Sequence, residues 1–140
     1  MSLYFTANTK GDSEMKERLM KEAKKAREKA YAPYSKFKVG AALYTKAQNI
    51  FHGSNIENAS YSLTCCAERT AIFKAVSEGE TAFEAIAVVA DAEGPVSPCG
   101  ACRQVMGEFF TDDVTIYLGN MNGEIVTTSI DKLLPDRFTL

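Results

Sequence analysis

Two short segments, Thr64-Cys65-Cys66-Ala67-Glu68-Arg69 and Ser97-Pro98-Cys99-Gly100-Ala101-Cys102-Arg103, hold all four cysteines of the chain. Each places cysteine at the start of an expected helix, where free N–H groups and the helix dipole favour a thiolate. They lie far apart in sequence, so a fold that uses them together must bring two helix starts to one point. Three thiolates with one unligated glutamate suit a zinc ion whose fourth position is open to water, and hence hydrolysis.

Cys99 and Cys102 form a Cys-x-x-Cys pair, whose i, i+3 spacing on a helical turn turns both sulfurs toward one ion. Alone, such a pair also fits a redox dithiol or half of a structural zinc site. Cys65 and Cys66 offer the third ligand. Adjacent helical residues point about 100° apart, so one of them is expected to reach the ion. Cys66 is the choice because it keeps a Cys-x-Glu spacing, which leaves Cys65 as a small buried hydrophobe. Glu68 reads either as a first-turn carboxylate that complements the helix dipole or as a general acid/base facing the same pocket. Three thiolates on Zn²⁺ leave a formal charge of −1, which a nearby arginine offsets by donating to sulfur. Arg69 is the candidate for that supporting role, with Arg103 as the second. The single histidine, His52, is expected to be an ordinary strand residue, because a fourth protein ligand would close the open position.

The 140 residues are expected to form one domain, with a loose arm over residues 1–12. No apolar run approaches the ~20 residues that span a bilayer, and Met1 to Asp12 lacks the basic start and apolar core of a signal peptide. A cytoplasmic protein with reduced thiols is expected, so its cysteines point to metal or catalysis before disulfides. The net charge of −2 argues against a polyanion-binding chain and for no nucleic-acid partner. The lysines from Lys21 to Lys29, set among Glu22 and Glu28, read as a solvated helix face.

Helical spacing of Met15, Leu19, Ala23 and Ala26 predicts a helix from Ser13 to Ala30, capped by Asp12 or Ser13 and ended by Pro33. Lys38 to Thr45 and Ile50 to Ser54 read as an antiparallel hairpin. The polar stretch Asn55 to Tyr61 follows and should line whatever sits at that end of the sheet. A second helix is expected from Cys65 to Glu78. Ala85 to Ala90 is apolar throughout, as in a central strand buried on both faces. A third helix is expected from Cys99 to Phe110, strands over Thr115 to Leu118 and Glu124 to Thr128, and a short helix from Ile130 to Leu134. The pattern indicates an α/β sandwich of about five strands.

Together these residues resemble the small homotetrameric cytidine deaminases. Three zinc ligands, a non-ligand glutamate and Pro-Cys-x-x-Cys are a general signature of zinc deaminases, here Cys66-Ala67-Glu68 and Pro98-Cys99-Gly100-Ala101-Cys102. Cysteine in place of histidine in the first motif favours a free nucleoside substrate. The likeness also covers Tyr34 to Ala42, Asn55 to Tyr61 and Leu133 to Phe138. It implies a three-layer α/β/α sandwich around a mixed five-stranded sheet, one Zn²⁺ per subunit, and a homotetramer with shared sites. It implies hydrolytic deamination of cytidine and 2′-deoxycytidine in pyrimidine salvage, with Glu68 moving the proton and backbone at Ala67 and at Ser97 or Pro98 reading the base. By the same resemblance Asn55 and Glu57 bind the ribose, Phe37 walls the pocket, and Phe138 and Tyr61 act between subunits. Read without it, Phe37 would be plain core and Phe138 would only dock the C-terminus. The rival readings are a deaminase of another cytosine nucleoside such as blasticidin S, a non-catalytic structural zinc module, and a thiol redox protein.

Overall fold

A computed structural model describes residues 10–140. Helix α1 (Lys10–Arg27) lies over the hairpin β1 (Val39–Thr45) and β2 (Ile50–Ser54). Then come α2 (Ala67–Ser77), β3 (Phe83–Ala90), α3 (Gly100–Phe109), β4 (Thr115–Asn120), β5 (Ile125–Thr128) and the short α4 (Ile130–Leu133). The sheet runs β2-β1-β3-β4-β5. β1 is antiparallel to both β2 and β3, and β4 is antiparallel to β5. β3 and β4 are parallel, which requires the crossover that α3 supplies.

Alternation along the strands divides the interior into two cores. Ala42, Tyr44, Ala85, Ala87, Val89 and Tyr117 meet Leu19, Met20 and Ala23 of α1. The opposite face, with Ala41, Leu43, Ile86, Val88, Ile116 and Leu118, meets α2, α3 and α4. The fold is therefore the expected three-layer sandwich, with the apolar β3 at its centre.

Two glycines set how closely the layers approach. A Cβ on Gly40 of β1 would lie 2.0 Å from the Ala23 carbonyl oxygen of α1, and one on Gly53 of β2 would lie 2.2 Å from that of Ala67 in α2. The alanines of α2 (Ala67, Ala71 and Ala75, all fully buried) continue this close packing.

Several boundaries differ from expectation. α1 already includes Lys10, so residues 10–12 of the expected arm are helical, and residues 1–9 lie outside the described residues. Asp12 sits in the first turn, where its charge favours the N-terminal N–H groups, and is not the cap. At the other end Glu28, Lys29 and Ala30 make i→i−3 bonds, tightening the chain into turns three residues before the expected stop. Neither cysteine helix begins on its cysteine. Cys65 pairs its backbone with Ile56 in both directions, at 3.0 and 2.9 Å, which holds it extended and delays α2 to Ala67. Cys66 and Cys99 are the N-caps of α2 and α3, with extended backbone at ψ 159° and 168°.

Candidate active site

The N-termini of α2 and α3 meet, and the sulfurs of their caps meet with them. N-cap residues commonly turn their side chains back onto the helix, but here neither sulfur makes a capping bond. The Cys66 and Cys99 sulfurs lie 3.7 Å apart, Cys99 and Cys102 lie 3.5 Å apart, and all three are within 4.8 Å of one another. A tetrahedral zinc with Zn–S bonds of about 2.3 Å separates its sulfurs by ~3.8 Å. The cluster therefore has the donor type and spacing that zinc requires. Cys65 stands outside it.

Glu68, in the first turn of α2, is 4% exposed. Burial pushes its carboxyl up from 4.5 to about 7, and negative charge at Cys66 adds to the rise. A proton carrier works best with a pKa near the operating pH, and a divalent cation on the sulfurs would draw this one down. Hydrogen bonding from Cys102 above all, and from Arg69 and Cys99, lowers the Cys66 thiol from 9.0 to about 5. The bond with Cys66 raises the Cys102 thiol, as do burial and the charge of Glu68. Of this hydrogen-bonded pair, Cys66 is the sulfur whose thiolate is favoured.

Arg69 donates from Nη2 to the Cys66 sulfur at 3.4 Å, while its Nε is buried with no partner among the described residues. Arg103 is elsewhere. It donates to the Pro98 carbonyl at 2.9 Å, the Ser97 hydroxyl at 2.7 Å and the Leu133 carbonyl at 2.7 Å. Arg69 is the thiolate partner, and Arg103 clamps the Ser97–Pro98 loop to the chain end. His52 pairs with Glu22 at 3.1 Å, away from the cluster.

Of the other expected residues, Phe37, Asn55, Glu57 and Tyr61 lie in the segments before β1 and after β2, whereas Ala67 opens α2 and Phe138 follows α4. A cleft of about 370 Å³ is lined by Tyr34, Ser35, Glu57, Tyr61 and Thr64. Glu57 accepts from the Tyr34 and Ser35 N–H groups at 2.9 and 3.1 Å and from the Ser35 hydroxyl. These bonds, Ser35 foremost, hold its carboxyl below the usual range. Asn55 is nearly buried, and its amide is already engaged. Its Oδ1 accepts from Val39 N–H at 2.9 Å and its Nδ2 donates to the Phe37 carbonyl at 2.8 Å. One lone pair and one N–H remain for a ligand, so Asn55 also shapes the turn that presents Phe37.

Phe37 is 42% exposed and so is not plain core. Tyr61 stands edge-to-face on Tyr34, centroids 6.3 Å apart, with 77% of its surface open. Phe138 is 69% exposed; Gln104 of α3 holds its carbonyl at 3.2 Å while the ring stands free. Ala67 is fully buried as the first residue of α2. Sequence reasoning missed Ser35 as the partner of Glu57, although a serine inside the Tyr34-Ser35-Lys36-Phe37 motif was the available signal.

A mixed sheet that delivers three cysteine sulfurs and a buried carboxyl to two adjoining helix starts defines a thiolate metal centre equipped for proton transfer. Comparison with known proteins narrows that class. The family model described as the cytidine and deoxycytidylate deaminase zinc-binding region matches residues 13–118. A cytidine deaminase of Sporosarcina psychrophila is 61% identical over 123 residues, covering 88% of this chain and 90% of that one. The crystal structure of cytidine deaminase from Burkholderia pseudomallei superposes with a TM-score of 0.85 at 56% identity, covering 87% of this chain and 98% of that one. A blasticidin-S deaminase of Bacillus cereus is 36% identical over 113 residues, 75% of this chain and 79% of that one. The chain belongs to the cytidine and deoxycytidylate deaminase family, and it is a zinc-binding hydrolytic deaminase.

Proposed function

We propose that the chain converts cytidine and 2′-deoxycytidine, with water, to uridine or 2′-deoxyuridine and ammonia, as a step of pyrimidine salvage. The observation that carries this reading is Glu68, buried against the thiol cluster with its carboxyl near neutrality. Cys66, Cys99 and Cys102 would hold the zinc ion, which when bound would supply Lewis-acid activation of water. Glu68 takes one proton from the attacking water and gives it to N3 as the oxygen bonds to C4 of the base. It then takes the remaining proton of that C4 hydroxyl and gives it to the amine as the C4–N bond breaks, releasing ammonia. Arg69 offsets the thiolate charge at Cys66. Backbone groups at Ala67 and at Ser97 or Pro98 hold the pyrimidine edge, and Arg103 keeps that loop in place.

Asn55 and Glu57 bind the ribose hydroxyls, and Phe37 walls the pocket. Phe138 and Tyr61 complete a neighbour's site in a homotetramer carrying one zinc per subunit; their exposed rings support this reading. Replacing Glu68→Gln keeps zinc and nucleoside binding and removes turnover, followed as ultraviolet loss of cytidine. A variant turning over at the wild-type rate would refute the role of Glu68.

The blasticidin-S deaminase relative supports a second reading, a different cytosine nucleoside as substrate. Parallel assays on cytidine and blasticidin S separate the two. The hydroxyl-binding pair Asn55 and Glu57 favours the ribose.

A further inference from the structure

Ser35 joins the two walls of the proposed sugar pocket. Its hydroxyl donates to Oε2 of Glu57 and accepts from the Phe37 N–H at 3.0 Å. The adjacent Tyr34 and Ser35 N–H groups both point at Oε1 of Glu57. Lys36, with φ at +60°, turns the chain directly after them, and its N–H closes onto the Ala32 carbonyl at 3.1 Å. Such paired N–H groups make a small anion-binding concavity. Oε1 is therefore saturated from one side, and Oε2 retains one lone-pair direction for a ligand. That direction depends on the Ser35 hydroxyl, because a carboxylate bound only through Oε1 can swing about its terminal torsion, which is broad and soft.

We infer that Ser35 is a positioning residue for the sugar, aiming the one free acceptor of Glu57 at a ribose hydroxyl. This rests on the proposed reading of Glu57 as a ribose ligand. Ser35 takes no part in proton transfer, so its removal weakens nucleoside binding and leaves the chemical step alone.

Steady-state kinetics of the zinc-loaded enzyme test it. Ser35→Ala is expected to raise KM for cytidine by about tenfold, the scale of one lost hydrogen bond to a charged group, with kcat within about twofold. Ser35→Thr, which keeps the hydroxyl, restores KM. On 2′,3′-dideoxycytidine, which has no secondary hydroxyl for Glu57 to meet, wild type and Ser35→Ala have the same KM. In the double variant Ser35→Ala/Glu57→Gln, KM equals that of Glu57→Gln alone.

An unchanged KM for Ser35→Ala where Glu57→Gln raises it overturns the inference and leaves the ribose reading standing. An equal penalty on both substrates, or a fall in kcat, assigns Ser35 to loop structure and overturns it too. An unchanged KM for Glu57→Gln on cytidine refutes the ribose reading itself, and the inference falls with it.

Discussion

Glu68 is a liability to the fold that the chemistry exploits. Its folded carboxyl titrates at about 7 against 4.5 ordinarily, so between those values the folded state binds more protons than the unfolded one. Stability from this group falls as pH rises through that window, by about 3 kcal/mol in all. Cys66 acts oppositely, because its thiol is lowered from 9.0 to about 5 and its contribution grows with pH between them. The glutamate is isolated by comparing metal-free wild type with Glu68→Gln in urea denaturation under a chelator. The variant should gain on the wild type as pH rises from 4.5 to about 7, and the difference should level off above that. Arg69 meets the thiolate directly, so Arg69→Gln is expected to lower zinc affinity or activity by roughly 10–100-fold, as supporting groups around metal sites do. Zinc retention in competition with a chromogenic chelator measures it. Which arginine serves the sulfur was not legible in sequence. Arg69 and Arg103 each lie within three residues of a ligand cysteine, and only the path of the Ser97–Pro98 loop and α4 draws Arg103 away.

At the scale of elements, the helix starts do the assembling. β2 leads through the Asn55–Thr64 loops into α2, and β3 leads through residues 91–99 into α3, so two N-termini face each other at one end of the sheet. Their approach depends on small residues between layers. Gly40→Ala places a methyl 2.0 Å from the Ala23 oxygen and 2.5 Å from the Arg27 nitrogen, both backbone atoms that cannot rotate aside. The expected loss is about 3 kcal/mol, the upper part of the overpacking range, read as a fall in thermal midpoint. Gly94→Ala meets nothing within 4 Å and should leave the midpoint unchanged. Helix existence was readable from apolar spacing, because burial of one stripe imposes that period. The true helix starts were not, since the bridge that keeps Cys65 extended pairs it with a residue on a separate loop.

For the whole molecule, Tyr61 and Phe138 are exposed residues at distant points of the chain sequence, one before α2 and one after α4. If neighbours cover them as proposed, Phe138→Ala should raise KM for cytidine with little change in zinc content, and the wild type should sediment as a tetramer. A monomer with full activity would contradict shared sites. No helix among the described residues is long and apolar enough to cross a membrane.

The sequence by itself determined the alternating strands, the apolar central strand, and the chemical inventory of three sulfurs and a carboxylate. These are local properties, written in residue type and spacing, and periodicity or donor chemistry reads them directly. Tertiary structure decided everything that depends on direction. It turned two cap side chains away from their own helices toward a shared point, and buried Glu68 deeply enough to raise its pKa. It also gave Arg69 rather than Arg103 to the thiolate, and occupied half of the Asn55 valences and most of those of Glu57 with the segment around Phe37. Side-chain direction follows from how separate elements pack together, and no single stretch of this chain contains that information.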